Sequence, residues 1–232
     1  MPIKTKDFIE IEFTGKTKEG KVFDSNIKED LTELNPKSQP KPFIFCIGQG
    51  MFLKGVEDFL IDKEVGEYNL ELTPEKAFGK REPKLVQIIP MRIFKEQKLN
   101  PIPGASFNFD GKMGKVLTVS GGRTIVDFNN PLAGKDIIYK IKVLRKVGDL
   151  NEKIKSFNDF LFRKDLKFKI QDKKLILETE PGMKQFIELF KDKFKEVFSL
   201  DLEVREVKEE ALEHESSSDT KKEKLKTPKK SQ

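Results

Sequence analysis

The side chains that could do chemistry are mainly aromatic rings at the ends of predicted strands and loops. They are Phe13, Phe23, Phe43, Phe45, Phe52, Phe78 and Tyr139. Their concentration is unusual, although packing in a core is the commoner explanation for any single ring. Asp24 directly follows Phe23, so in a regular strand its carboxylate faces opposite that ring. Its usual explanation is a turn cap or exposure to solvent.

Other catalytic machinery is missing from the sequence. A single His and a single Cys exclude a catalytic triad, an internal disulfide and the common zinc sites. There is no Walker loop and no Gly-x-Ser-x-Gly motif, and the glycines at 48, 50 and 55 only faintly resemble a dinucleotide loop. Any catalysis therefore needs no metal, cofactor, nucleophile or histidine base.

The composition predicts a soluble protein of the cytoplasm. Hydrophobic and charged residues each make up 36% of the 232 residues, and the 20 Phe can build a core. The longest uncharged apolar stretch is too short for a membrane span, and residues 1–13 lack a signal-peptide block. The net charge is +6, with the two signs interspersed except at the lysine-rich end. Nucleic acid is therefore not an expected partner, apart from a minority interpretation of those lysines.

Hydrophobic periodicity predicts an α+β fold with an insertion. Residues 8–13 and 67–72 alternate like half-buried strands, and residues 43–47 and 136–144 are also predicted to be strands. Residues 53–61 have helical spacing, and residues 26–41 are predicted to be a loop. Residues 80–128 carry short strands between turn signals, which predicts a small all-β unit inserted between two strands of the first domain.

The end of the chain predicts a further small domain and a tail. Residues 148–208 have the pattern of an αββαβ unit, whose second helix, at 183–198, carries a strong apolar stripe. That stripe packs on its own sheet or forms a homodimer, and the sequence leaves the two alternatives even. Residues 209–232 are predicted to be a disordered charged tail.

Ordered motifs in the first part of the chain resemble those of FKBP-type peptidyl-prolyl isomerases. They lie at residues 12–15, 20–25, 41–45, 48–55 and 77–79. Residues 85–90 and 130–136 look like the two borders of the inserted flap domain in the SlyD-like branch. The resemblance covers about residues 1–147. The third segment resembles, more weakly, the C-terminal extension of long archaeal members, which implies an archaeal source.

This resemblance implies an antiparallel half-barrel sheet wrapped on a short helix. The expected domains are residues 1–79 with 129–147 for the isomerase, 80–128 for a chaperone-like flap and 148–208 for the C-terminal domain. The expected substrates are unfolded or proline-containing polypeptides, with no cofactor, metal or membrane involved. SlyD-type nickel binding is not expected, because the tail has one His and no Cys.

The resemblance also implies a shallow pocket for the proline ring. The catalytic candidates are Asp24, Phe23, Tyr139 and Phe78. The predicted substrate-binding residues are Phe13, Phe43, Phe52, Leu53 and Val56 in the pocket, with Ile88, Ile89 and Phe94 in the flap. Apolar residues of the flap are expected to be partly exposed and to grip unfolded chains, unless they form the flap's own core.

Three pocket positions depart from well-known short members of the family. Val56 stands where a Trp often forms the floor, while Phe13 and Phe78 lack hydroxyls that Tyr would provide. Tyr139 restores a hydroxyl where Phe is usual. These departures modestly favour an alternative function, a non-catalytic chaperone or binding module with a degenerate pocket.

Overall fold

The computed structural model describes residues 1–34 and 39–207. The chain divides into two units, Met1–Val147 and Gly148–Gln232. The α+β prediction is confirmed, since short helices accompany three separate sheets. Within the described ranges no helix is both long enough and apolar enough to cross a membrane. The predicted tail, residues 209–232, lies outside the described residues.

The strands and helices are numbered in chain order. The strands are β1 (Phe8–Thr17), β2 (Val22–Ser25), β3 (Phe43–Cys46), β4 (Gly66–Leu72), β5 (Val86–Pro90), β6 (Ser106–Phe109), β7 (Lys112–Ser120), β8 (Arg123–Asp127), β9 (Ile137–Lys146), β10 (Phe168–Gln171), β11 (Lys174–Thr179) and β12 (Asp201–Glu206). The α-helices are α1 (Lys28–Leu34), α2 (Lys54–Leu60), α3 (Met91–Glu96), α4 (Leu150–Phe162), α5 (Lys184–Glu188) and α6 (Lys191–Phe198). Two 3₁₀ turns lie at Pro74–Lys76 and Pro83–Leu85.

The main sheet of the first unit is antiparallel and is built around β1. Its order is β2-β1-β9-β4, and β3 also pairs with β1. The alternation seen in the sequence buries Ile9 and Ile11 on the face that carries the core. The short helix α2 contacts β4 and buries Val56 and Leu60. This arrangement matches the expected sheet with a short helix.

The predicted loop at residues 26–41 contains a helix that the sequence pattern did not indicate. The helix α1 has only seven residues and a short apolar face, Leu31 and Leu34, and Glu29 and Asp30 occupy its first turn, where the helix dipole favours carboxylates. Asp30 also accepts a hydrogen bond from the Thr14 hydroxyl at 2.5 Å. Local electrostatics and a contact to β1 therefore help to hold this short helix in a segment that is mostly polar.

The insert forms its own four-stranded sheet in the order β5-β8-β7-β6. Its buried core consists of Phe94, Val116 and Val126. The expectation of an all-β insert is wrong in one respect, because α3 supplies Phe94 to that core. Pro90 ends β5 just before this helix, and a proline cannot donate a further ladder hydrogen bond.

The second unit has the predicted order of helices and strands, with one correction. Its sheet is β10-β11-β12, and β12 runs parallel to β11 because the chain between them crosses over through helices. The predicted helix at residues 183–198 is interrupted. At Leu189 and Phe190 the backbone N–H groups bond three residues back, to the carbonyls of Phe186 and Ile187, so α5 ends at Glu188 and a separate helix, α6, begins at Lys191.

Candidate active site

Seven rings predicted from distant parts of the sequence form one connected cluster, called here the aromatic pocket. Its members are Phe13, Phe23, Phe43, Phe45, Phe52, Phe78 and Tyr139. Phe52 lies at its centre, with its ring centroid 4.9 Å from that of Phe13 and 5.4 Å from that of Tyr139. Phe23 joins Tyr139 to Phe78, at 5.7 Å from each ring.

The aromatic pocket contains both buried and partly exposed side chains. Phe13, Phe45 and Tyr139 are buried, as is Val56 in the adjacent helix. Four rings keep partial exposure to solvent: Phe23, Phe43, Phe52 and Phe78. Leu53, which follows Phe52, is also partly exposed. The rings thus present an apolar surface that solvent, or an apolar ligand, can reach.

Gly15 makes room for the rings, a role that the sequence reasoning did not assign. It pairs with Asp24 on one neighbouring strand and with Tyr139 on the other. A Cβ atom at this position would lie 2.8 Å from Cζ of Phe23 and 2.9 Å from Cε1 of Tyr139. A glycine inside a strand pattern often marks such a close approach, and this signal could have identified it.

A β-bulge in β2 falls at Phe23, directly before Asp24. The pairing of β1 with β2 shifts between Gly15 and Lys16, so Phe23 is an extra residue opposite β1. The Phe23 ring packs on Tyr139, and the charge of Asp24 also acts on the Tyr139 hydroxyl. A bulge breaks strict alternation, so the regular-strand expectation that the carboxylate and the ring face opposite sides does not apply here.

The two polar groups at the pocket have shifted pKa values. Burial raises the pKa of Asp24, and a hydrogen bond from the backbone N–H of Ser25 only partly offsets that rise. Burial, and then the nearby charge of Asp24, raises the pKa of the Tyr139 hydroxyl well above its usual range. Tyr139 is therefore a neutral phenol at physiological pH and can donate a hydrogen bond.

Asn26 fixes the part of β1 that carries Phe13. Its side-chain oxygen accepts a hydrogen bond from the Phe13 N–H at 2.7 Å. Its amide nitrogen donates to the carbonyls of Ile11 at 2.9 Å and Lys41 at 3.3 Å. The sequence offered only a turn-type residue at this position, so this function could not be predicted.

The three predicted flap residues differ in their exposure. Ile88 is 61% exposed, while Ile89 packs partly buried against the insert core. Phe94 is 1% exposed, so the expectation that it faces solvent is wrong. It lies on the buried side of α3, where its ring contacts that of Phe107 at 5.6 Å and forms part of the insert core.

An α+β fold with a half-open aromatic pocket, one carboxylate and one phenol has the features of the FKBP class of isomerases. A family model described as FKBP26, IF domain, matches residues 87–132. A short-type peptidyl-prolyl cis-trans isomerase of Methanocaldococcus jannaschii is 32% identical over 145 residues, which are 61% of this chain and 92% of that protein.

Two further relatives come from bacteria. An FKBP-type 16 kDa peptidyl-prolyl cis-trans isomerase of Escherichia coli strain K12 is 31% identical over 128 residues, 53% of this chain and 85% of the relative. The SlyD protein of Aeromonas hydrophila is 26% identical over 148 residues, 62% of this chain and 64% of its own length. The chain belongs to the family of FKBP-type peptidyl-prolyl cis-trans isomerases. These relatives do not favour the alternative of a non-catalytic binding module.

Proposed function

We propose that the aromatic pocket binds the proline ring of an X–Pro segment while the preceding amide bond rotates. The observation that supports this proposal is the single cluster of rings, assembled from four strands and two loops, with partly exposed members on one side. A prolyl ring is apolar, so its transfer from water into this pocket is favourable.

The reaction requires little from the protein beyond binding. Rotation about an X–Pro amide meets a barrier of about 18–20 kcal/mol because the twisted state loses resonance. The twisted amide is also less dipolar than the planar one, so a pocket with little water favours the twisted form. Only such preferential binding of the transition state accelerates rotation. An acceleration of about 10³-fold requires about 4 kcal/mol, which desolvation and one or two polar contacts can supply.

Asp24 and Tyr139 are the polar groups proposed to act on the amide. The Tyr139 phenol stays neutral and donates a hydrogen bond to a substrate carbonyl, which stands in for the hydroxyl that Phe78 lacks. The Asp24 carboxylate orients or polarises the rotating amide. Asp24 and Tyr139 both pair with Gly15, from its two neighbouring strands, and the charge of Asp24 raises the pKa of Tyr139.

Two assays test the proposed catalysis. The first measures cis–trans exchange of a short proline peptide, and the second measures refolding of a protein limited by proline isomerisation. Acceleration in both assays, lost in Phe52→Ala, supports the proposed pocket. Suppressed aggregation without acceleration of either reaction contradicts it and supports a chaperone that only holds its substrates.

We further propose that the insert grips unfolded chains through an apolar surface. Ile88 is paired with Ile125 on the sheet face opposite Val126, and Met113 is exposed on β7. Exposed apolar residues on one sheet suit contacts with an unfolded chain, whose own apolar side chains are accessible.

Deletion of residues 80–128 tests this second activity. We expect turnover of the short proline peptide to persist, while turnover of an unfolded protein falls. The milder variant Ile88→Glu should likewise keep turnover of the short peptide and lower turnover of the unfolded protein. Ser120→Glu on β7, which adds a charge at a polar position, is the control and should change neither. Equal turnover of the unfolded protein after deletion contradicts the proposed grip.

We propose that the exposed apolar residues of the second unit form the interface of a homodimer. Leu189 is 78% exposed and Phe186 beside it is also exposed, at the point where α5 and α6 separate. Sedimentation of the full chain should show a dimer that Leu189→Glu dissociates, while Gln185→Glu on the same helix leaves it intact. A monomer at all concentrations contradicts the proposal.

For location we propose the cytoplasm, with polypeptides rather than nucleic acid as partners. The interspersed charges and the single Cys of the sequence support this proposal. Cell fractionation tests the location, and recovery of the protein in a membrane or extracellular fraction contradicts it.

A further inference from the structure

The backbone of the loop between β3 and α2 is hydrogen-bonded to a single carboxylate. Glu57 in α2 is 3% exposed. Its Oε2 accepts hydrogen bonds from the backbone N–H groups of Gly48 at 2.7 Å and Gly50 at 3.3 Å. Its Oε1 accepts one from the N–H of Phe52 at 2.8 Å. Three backbone donors of one loop therefore converge on one side chain.

Backbone conformations rare for other residues allow this convergence. Gly48 and Gly50 have φ values of +82° and +67°, a region that glycine adopts readily and side chains disfavour. N–H groups turned inward in this way form a concavity that binds anions. Here the bound group is the chain's own Glu57 carboxylate. Hydrogen bonds to a charged acceptor are roughly twice as strong as hydrogen bonds between neutral groups.

The loop that Glu57 holds leads directly into the aromatic pocket. The Phe52 N–H is one of the three donors, and the Phe52 ring lies 4.9 Å from Phe13 and 5.4 Å from Tyr139. Val56, which precedes Glu57 in α2 and is one of the predicted pocket residues, is buried. One turn of helix thus supplies a predicted pocket residue and also holds the neighbouring loop in place.

We propose that Glu57 is a positioning residue of the isomerase, which holds the 48–52 loop so that Phe52 closes one wall of the prolyl site. Its role depends on the proposed function of the aromatic pocket. The Phe52 wall contacts a bound prolyl ring in the planar and the twisted state of the amide alike. A displaced wall therefore weakens both states equally, which raises KM and leaves kcat nearly unchanged.

The test uses Glu57→Gln in the full chain. Gln has the same shape but carries one acceptor oxygen and one NH₂ group, so it cannot accept hydrogen bonds from both sides of the loop. We expect KM for a short proline peptide to rise about tenfold, since a misplaced contact of about 1 Å can cost up to 10²-fold. Hydrogen exchange should speed up at Gly48, Gly50 or Phe52. Asp58→Asn, which neutralises the next carboxylate of α2, should leave KM and exchange unchanged.

A purely structural role gives a different result. Partial unfolding of Glu57→Gln lowers the concentration of active enzyme, so apparent kcat falls while KM stays constant, and this outcome overturns the proposal. Fast exchange of the Gly48 and Phe52 amides in the unmodified protein also overturns it, even if the variant fails to fold.

Phe52→Ala separates this proposal from the proposed pocket. If Phe52→Ala raises KM while Glu57→Gln does not, the positioning role alone is overturned. If neither variant raises KM, the pocket itself is overturned as the substrate site. A rise in both variants, with faster exchange only around the loop in Glu57→Gln, supports the positioning role.

Discussion

Replacement of Asp24 by Asn should make the protein more stable and less active at neutral pH. Asn keeps the shape of the side chain and removes its charge. Because burial raises the pKa of Asp24, the folded state disfavours the ionised form. A carboxyl group whose pKa is raised by folding contributes favourably to stability below its pKa in the unfolded state, about 3.9. This contribution is lost as the pH rises through its pKa in the folded state. At pH 7 the ionised carboxylate therefore lowers stability.

The size of the effect follows from the surroundings of the side chain. A buried polar group without adequate partners costs about 1–3 kcal/mol. Asp24 is only partly buried and accepts the Ser25 N–H, so we discount for solvent screening and expect a gain of about 1 kcal/mol. The melting temperature should rise by roughly 2–4 °C at pH 7, with little difference from the unmodified protein below about pH 3.

The same substitution should lower kcat about tenfold, equivalent to about 1.4 kcal/mol of lost transition-state stabilisation. The measurements are thermal unfolding at both pH values and cis–trans exchange of a short proline peptide. Asp62→Asn, at an exposed carboxylate just after α2, serves as the control. Lower stability of Asp24→Asn at pH 7, or an unchanged kcat, would refute the reasoning.

Three further predictions concern the pocket and the base of the insert. Gly15→Ala should push the rings of Phe23 and Tyr139 apart and lower kcat/KM at least tenfold. The overpacking should also lower the free energy of unfolding, measured by chemical denaturation, by about 1–3 kcal/mol. Phe78→Tyr should raise kcat/KM about fivefold, because the new hydroxyl can donate one hydrogen bond to the substrate carbonyl. Asp127→Asn should lower stability by about 0.5–1 kcal/mol at pH 7 but not near pH 2, because Asp127 accepts hydrogen bonds from Arg81 at 2.7 Å and 3.1 Å.

The pH dependence at Asp127 has the opposite sign to that at Asp24. Burial opposes ionisation of Asp127, but hydrogen bonds from Asn129 and Arg81 outweigh it and lower its pKa. The stability it contributes is therefore present above the unfolded pKa and is lost as the pH falls through the folded pKa. Each prediction has a contrary result: full activity of Gly15→Ala, no gain in Phe78→Tyr, or a destabilisation of Asp127→Asn that persists in acid.

The regular parts of the fold were predictable because their side chains follow a period. The alternation of residues 8–13 placed Ile9 and Ile11 on the buried face of β1, and helical spacing located α2. The helices α1 and α3 were missed, since α1 has only seven residues in a polar segment and α3 is a six-residue helix that begins just after a proline. The break at Leu189 depends on tertiary packing, which periodicity cannot report.

The candidate site was predictable in its residue types but not in its construction. The rings were identifiable because they recur at the ends of predicted strands, and the family motifs indicated which of them to expect in the pocket. The bulge at Phe23 could not be foreseen, because an alternating pattern gives no sign of an extra residue. Glu57 was overlooked, although its place on the same apolar stripe as Val56 and Leu60 signals a buried carboxylate.

The most direct test of the account is exchange spectroscopy on a short proline peptide titrated with isotope-labelled protein. It reports the rate of cis–trans exchange and the resonances that shift on binding in one experiment. We predict faster exchange, with the largest shifts at Phe13, Phe52 and Tyr139. An unchanged exchange rate, or shifts confined to residues outside the aromatic pocket, would contradict the claim that these rings bind the rotating prolyl segment.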